Sequence, residues 1–146
     1  MKIKESSCLR ELIRELVRKL GILDKSEAAC CGTTVSQCHA IVEVGRAKSI
    51  SLNELAEILY LDKSTMSRTI NNLVQAGLVE RELHPEDRRY ITIILTNEGE
   101  KAFHSIEVSM EEYFSEIFSS IPKEKQKQVL ESIMLLVDAV KKNKCC

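Results

Sequence analysis

The sequence predicts a mainly α-helical protein with one small β-hairpin, a compact middle segment flanked by longer terminal helices. Three observations carry this. Apolar residues recur at three- and four-residue spacing along most of the chain, which is the helical period. That period breaks once, between residues 78 and 95, where two short extended runs surround a polar, proline-containing turn. Helix breakers are scarce, with 5 Gly and 2 Pro in 146 residues, which suits long helices joined by short loops.

Leu9, Leu12, Ile13, Leu16, Val17 and Leu20 make one apolar stripe on a first helix, which Gly21 closes. Residues 22–32 read as a connector. Thr33 or Thr34 is placed to cap a second helix running to about Val44, with Gly45 as its stop. Ser51 followed by Glu54 has capping-box spacing, and Leu52, Leu55, Ala56 and Leu59 share one face of the short third helix. Asp62 is placed to cap a fourth helix whose inward stripe is Met66, Ile70, Leu73 and Val74, and Gly77 ends it. Residues 78–83 and 90–95 read as a two-stranded hairpin with a charged tip at 84–89. Two strands are not stable alone, so the hairpin must lean on the helices. Thr96-Asn97-Glu98-Gly99 opens a fifth helix to about Ser119, with Ala102, Ile106, Tyr113 and Ile117 inward. Pro122 suits the first turn of a sixth helix. Val129, Leu130, Ile133, Leu136, Val137 and Val140 give that helix a wide apolar face. The first, fifth and sixth helices expose more apolar stripe than one small chain covers, so a helical homodimer is expected.

Composition bounds the function. Hydrophobic residues are 44% and charged residues 29%, an ordinary globular balance. The formal net charge is -1, so any nucleic-acid contact must rest on local geometry and not on bulk charge. No apolar stretch reaches the length of a membrane span and no signal peptide is evident, so a cytoplasmic protein with reduced cysteines is expected. There is no Gly-rich phosphate loop, no G-x-S-x-G and no H-E-x-x-H, so an enzyme is not expected.

Residues 51–75 read as helix, short turn, helix, and a hairpin follows: a winged helix-turn-helix layout. With Met66, Ile70 and Leu73 inward, the outer and lateral faces of the fourth helix carry Lys63, Ser64, Thr65, Ser67, Arg68 and Asn71. Hydroxyls and a helix N-terminus can bind phosphate oxygens, and Arg and Asn can pair with base edges in a major groove. At the hairpin tip, Arg88 and Arg89 follow Asp87. An Arg on such a tip suits a minor groove, where the field is negative, and a neighbouring Asp can hold the guanidinium forward.

The stretches "LDKSTMSRTINNLVQAGLVER", "PEDRR" and "LTNEG", in that order, resemble the MarR (multiple antibiotic resistance regulator) family of bacterial transcription regulators over roughly residues 33–110. The resemblance implies a homodimer on a pseudo-palindromic site in double-stranded DNA, acting as a repressor. It divides the chain into a helical dimerisation region, residues 1–32 and 98–146, and a DNA-binding lobe, residues 33–97. It makes Asp62 to Gln75 the recognition helix and matches Ser64, Thr65, Ser67, Arg68 and Asn71 to its DNA-facing positions. Asp87 and Arg89 match the wing's Asp-x-Arg pattern, with Arg88 between them. Two residues depart from the family. Tyr60 stands where Gly is usual; a left-handed non-Gly residue costs about 1–2 kcal/mol, so a different turn geometry is expected. His84 replaces a common Asp.

The six cysteines raise a second question. Cys38 shares a helix face with Ile41, Val42 and Gly45, as a small core residue would. His39 points away from it. Cys30 and Cys31 lie near a helix N-terminus, which lowers a thiol pKa. In a dimer, Cys145 and Cys146 of one chain are placed to approach Cys30, Cys31 or Cys8 of the other. No pair has zinc-ribbon spacing, and no cofactor is required. The expectation is a sensor in which an oxidant or a soft metal or metalloid links the thiols as inducer. The alternatives are an organic effector, no effector, or a protein-interaction module that has lost DNA binding.

Overall fold

The computed structural model describes residues 2–20, 34–84, 86–87 and 89–143. The connector, Cys30, Cys31, Arg88, Cys145 and Cys146 lie outside the described residues. The order of elements is α1 (Lys2–Lys19), α2 (Val35–Ala47), β1 (Ile50–Ser51), α3 (Leu52–Leu59), α4 (Lys63–Gln75), β2 (Val79–Leu83), β3 (Ile91–Leu95), α5 (Asn97–Ser119), a 3-10 turn (Lys123–Lys125) and α6 (Gln126–Lys142). Two compact units are present, residues 1–107 and 108–146.

Thr34, not Thr33, caps α2. Its hydroxyl accepts from the Gln37 amide at 3.2 Å, and the Gln37 side chain accepts from the Thr34 amide at 3.1 Å, a closed capping box. Gly45 does not stop this helix, contrary to expectation. The helix runs two residues further and ends at Lys48, with φ 67°. Gly45 serves close approach instead: a Cβ there would lie 2.5 Å from the Phe103 ring on α5. Ser51 caps α3 by accepting from the Glu54 amide at 3.1 Å. Gly77, with φ 77°, turns the chain out of α4.

The sheet has three strands, not the two expected, in the antiparallel order β1-β3-β2. Ile50 pairs with Ile93 and Ser51 with Thr92, so the residue that caps α3 also ends a strand. Two residues are too short to show an alternating pattern; this strand forms because the inner edge of β3 needs backbone partners. Across the wing, Val79 pairs with Leu95, Arg81 with Ile93 and Leu83 with Ile91.

The core of the first unit lies where α2, α3, α4 and the sheet meet. Ile41, Val44, Leu55, Met66, Ile70, Leu73, Val79 and Ile93 are completely buried there. Each such side chain contributes roughly 1.5–3 kcal/mol of burial free energy. Thr69 is buried as well, which the apolar stripe did not anticipate. Its hydroxyl donates to the Thr65 carbonyl at 3.0 Å, so no polar atom is stranded.

In the second unit the Gln126 side chain donates through Nε2 to the carbonyls of Phe118 and Ile121, at 3.1 and 3.2 Å, which closes the turn before α6. Pro122 stands one residue before the 3-10 turn. Helix α6 has no buried residue. Leu130, Ile133, Val137 and Val140 along it are all exposed.

Candidate nucleic-acid interface

Helix α4 presents its outer face because its inner one is consumed by the core. Met66, Thr69, Ile70 and Leu73 are buried. The residues between them at helical spacing, Ser64, Ser67, Arg68 and Asn71, form the opposite stripe. Lys63, Ser64, Arg68 and Asn71 are exposed, and Thr65 and Ser67 are half-buried. All six residues expected from the sequence therefore lie on or beside one accessible face.

The turn into this helix keeps the left-handed geometry, contrary to the expectation from Tyr60. Tyr60 adopts φ 55° and ψ 40°, and its amide donates back to α3. Its ring projects into solvent, so nothing around it competes with the turn. Asp62 takes the N-cap position with extended backbone but makes no side-chain capping bond. The Thr65 hydroxyl, with a smaller contribution from the Arg68 charge, holds its carboxyl below the usual carboxylate range. Arg68 in turn donates to the Thr65 hydroxyl at 3.4 Å.

At the wing, Asp87 and Arg89 form the brace expected from the sequence. Arg89 Nη2 donates to Asp87 Oδ2 at 2.8 Å, and Arg89 Nε donates to Oδ1 at 3.1 Å. The Arg89 backbone amide also donates to Asp87 Oδ1, at 3.0 Å. The Arg89 guanidinium thus holds the Asp87 carboxyl below its ordinary value, and the carboxylate raises the Arg89 guanidinium in return. The Arg89 side chain stays 86% exposed. A charge pair so exposed adds little stability. What it does is restrict where the guanidinium points. His84 closes the turn as an Asp can: its Nδ1 accepts from the Glu86 amide at 3.2 Å. Beside the brace is an open groove of about 680 Å³ whose lining includes Glu54, Glu82, Glu86 and Asp87. Its carboxylates repel phosphate, so the surface suited to a polyanion is the outer face of α4 and the Arg89 guanidinium.

One interface residue was missed. Arg81 on β2 donates to Asn71 Oδ1. Ten residues separate the two, and a cation in a strand otherwise reads as solvent-facing; only the strand register could have suggested it.

Cys38 is buried on α2, near Ile41 and Val44, as a core residue. Cys8 is exposed on α1. Among the described residues no group of three or more His, Cys, Asp or Glu is arranged to hold a metal ion. No described helix is long and apolar enough to cross a membrane.

Residues 32–89 match the sequence profile of the MarR family. The HTH-type transcriptional regulator BilQ of Clostridium symbiosum is 30% identical over 105 residues, 72% of this chain and 73% of that one. The organic hydroperoxide resistance transcriptional regulator of Bacillus subtilis is 28% identical over 102 residues, 68% of this chain and 66% of that one. Among solved structures, Streptococcus pneumoniae FabT in complex with DNA superposes with a TM-score of 0.84 at 17% identity, covering 95% of this chain and 99% of that one. With its winged helix-turn-helix fold and this relationship, the chain belongs to the MarR family of transcription regulators.

Proposed function

We propose that the protein is a homodimeric repressor that binds a pseudo-palindromic site in double-stranded DNA. The observation that carries this is the outer stripe of α4. It sets Ser64, Ser67, Arg68 and Asn71 in line on an exposed helix face, while the Asp87–Arg89 brace aims a second cation from the wing. In this reading α4 enters the major groove. Arg68 and Asn71 meet base edges, and Lys63, Ser64, Thr65 and Ser67 meet the phosphates flanking them. Arg89 enters the adjacent minor groove, and Arg88 adds charge at the same tip. The DNA complex formed by the structurally similar FabT supports the same use of the fold.

The dimer is assigned to residues 1–32 and 98–146, and the DNA-binding lobe to residues 33–97. The uncovered apolar faces of α1 and α6 support this, since a second copy of the chain would bury them. Two lobes would then address half-sites about one helical turn apart. Release by a thiol-reactive oxidant or a soft metal or metalloid belongs to the same proposal, through Cys30, Cys31, Cys145 and Cys146. The oxidant response named in the Bacillus subtilis relative supports it. Cys38 enters this scheme only through opening of the lobe, because its side chain is packed in the core.

Fluorescence anisotropy of the reduced protein on duplex DNA from upstream of its own gene tests the proposal. Affinity that falls steeply with salt, as phosphate contacts release counterions, supports a DNA-binding regulator. Absent or salt-indifferent binding sinks it and favours a protein-interaction module. Adding diamide, arsenite or zinc, with Cys30→Ser/Cys31→Ser as control, tests the thiol effector separately. A response that survives in the double mutant removes these two cysteines from the mechanism.

A further inference from the structure

Arg81 occupies the junction between the recognition helix and the wing. Its place follows from the strand alternation of β2. Val79, Arg81 and Leu83 project to one side of the strand, and Glu80 and Glu82 to the other. Val79 is buried, and Arg81 stands across from the buried Ile93, so Arg81 rises on the side where α4 packs against β2. Its guanidinium donates to Asn71 Oδ1. Asn71 belongs to the exposed outer stripe of α4, and Arg81 is exposed as well. The contact therefore holds the cation at the mouth of the crevice between α4 and the wing, not beneath the helix.

Both partners keep capacity for a ligand. An amide oxygen has two lone pairs, so Asn71 retains an acceptor as well as its NH2 for a base edge. A guanidinium has five N–H donors and no acceptor. One of them engages Asn71, and among the described residues the Arg81 guanidinium makes no other hydrogen bond or ion pair.

The geometry of the duplex dictates what passes over that crevice. With α4 in a major groove and Arg89 in the adjacent minor groove, the wall between the two grooves is a single sugar-phosphate strand. β2 runs from the exit of α4 towards the wing tip, and Arg81 lies two residues, about 7 Å, before its end at Leu83. The strand must therefore cross between Asn71 and Arg89, over Arg81. A guanidinium meets phosphate oxygens there with paired N–H groups in a fork. Resting on the DNA-binding reading above, we propose that Arg81 is a further DNA-binding residue. It grips a phosphate of the strand that separates the two grooves, and so fixes the register of α4 and the wing tip on the duplex.

The test is fluorescence anisotropy across a salt series with full-length wild type, Arg81→Met and Arg81→Lys, joined to selection of bound duplexes from a randomised pool. Losing a phosphate contact lowers the slope of log affinity against log salt by about 1, so by about 2 for a dimer carrying two copies of Arg81. That fall is the expected result in Arg81→Met, with binding weakened for every sequence alike and base preferences unchanged. Arg81→Lys keeps a phosphate-binding charge and should hold the slope. Arg81→Gln repeats the measurement should the Met variant melt early. An unchanged slope in the neutral variants overturns the proposal. So does a loss confined to the preference at one base with the slope intact, because Arg81 would then act only through Asn71. A slope lost in Arg81→Lys as fully as in Arg81→Met overturns it as well. A wild type without salt-dependent binding fails the DNA-binding reading itself, and this inference falls with it.

Discussion

The lobe core and helix α6 draw on the same residue types to opposite effect. In the lobe, Ile41, Leu55, Met66, Ile70, Leu73 and Ile93 have no exposed surface within a single chain. On α6, Leu135 is 72% exposed, Met134 66% and Val140 63%. The difference lies in what surrounds each stripe. Three helices and a sheet close over the first, whereas no residue of α6 is buried. One region covers its apolar residues within a single chain, and the other leaves them open to the second copy proposed above.

The sharpest way to break that comparison is to charge the uncovered face. Val137→Glu with Val140→Glu should convert the dimer to monomer in sedimentation and lower affinity for a two-half-site duplex by about 100-fold or more, the avidity of the second lobe. A dimer surviving both charges would place the interface elsewhere. Leu73→Ala attacks the covered side and should cost about 2–5 kcal/mol in denaturant unfolding of the lobe. An effect below 1 kcal/mol would mean that the lobe also depends on its partner. Asp87→Asn should lower DNA affinity by about tenfold with unchanged melting, because the brace orients Arg89 without stabilising the fold. The Asp87 carboxyl lies below its ordinary value of 3.8 in the folded chain. Its pairing is therefore fully present above the unfolded value and lost as pH falls through the depressed one, so the brace itself should not limit binding from about pH 5 upward. The smallest effect is at the turn. Tyr60→Gly should raise lobe stability by about 1 kcal/mol, relieving a left-handed residue whose side chain is 77% exposed. A loss of stability there would show that the ring contributes a contact of its own.

Most of the lobe was legible because its signals are local and periodic. The α4 stripe, the Thr34 cap and the Asp87–Arg89 spacing each lie within a few residues of sequence. What escaped depends on distant partners. Gly45 looks like a helix stop until Phe103 is set against it from 58 positions away. The β1 strand is two residues long and exists only through Ile93 and Thr92. Thr69 reads as surface because a hydroxyl hides its burial. Tyr60 misled in the other direction: the local penalty was read correctly, but the turn absorbs it. Arg81 was invisible because its role is defined by Asn71 on another element.

Thr96 sits at a crossing of three of these elements. Its hydroxyl donates to the Gly77 carbonyl at 2.6 Å and accepts from the Gly99 amide at 3.0 Å, while its own amide donates to the Leu78 carbonyl at 3.1 Å. The exit of α4, the root of the wing and the first turn of α5 are thereby pinned to a single residue. Mechanically this is a weld and not a hinge. A shift of the first turn of α5 therefore pulls on the exit of α4 and the root of the wing together.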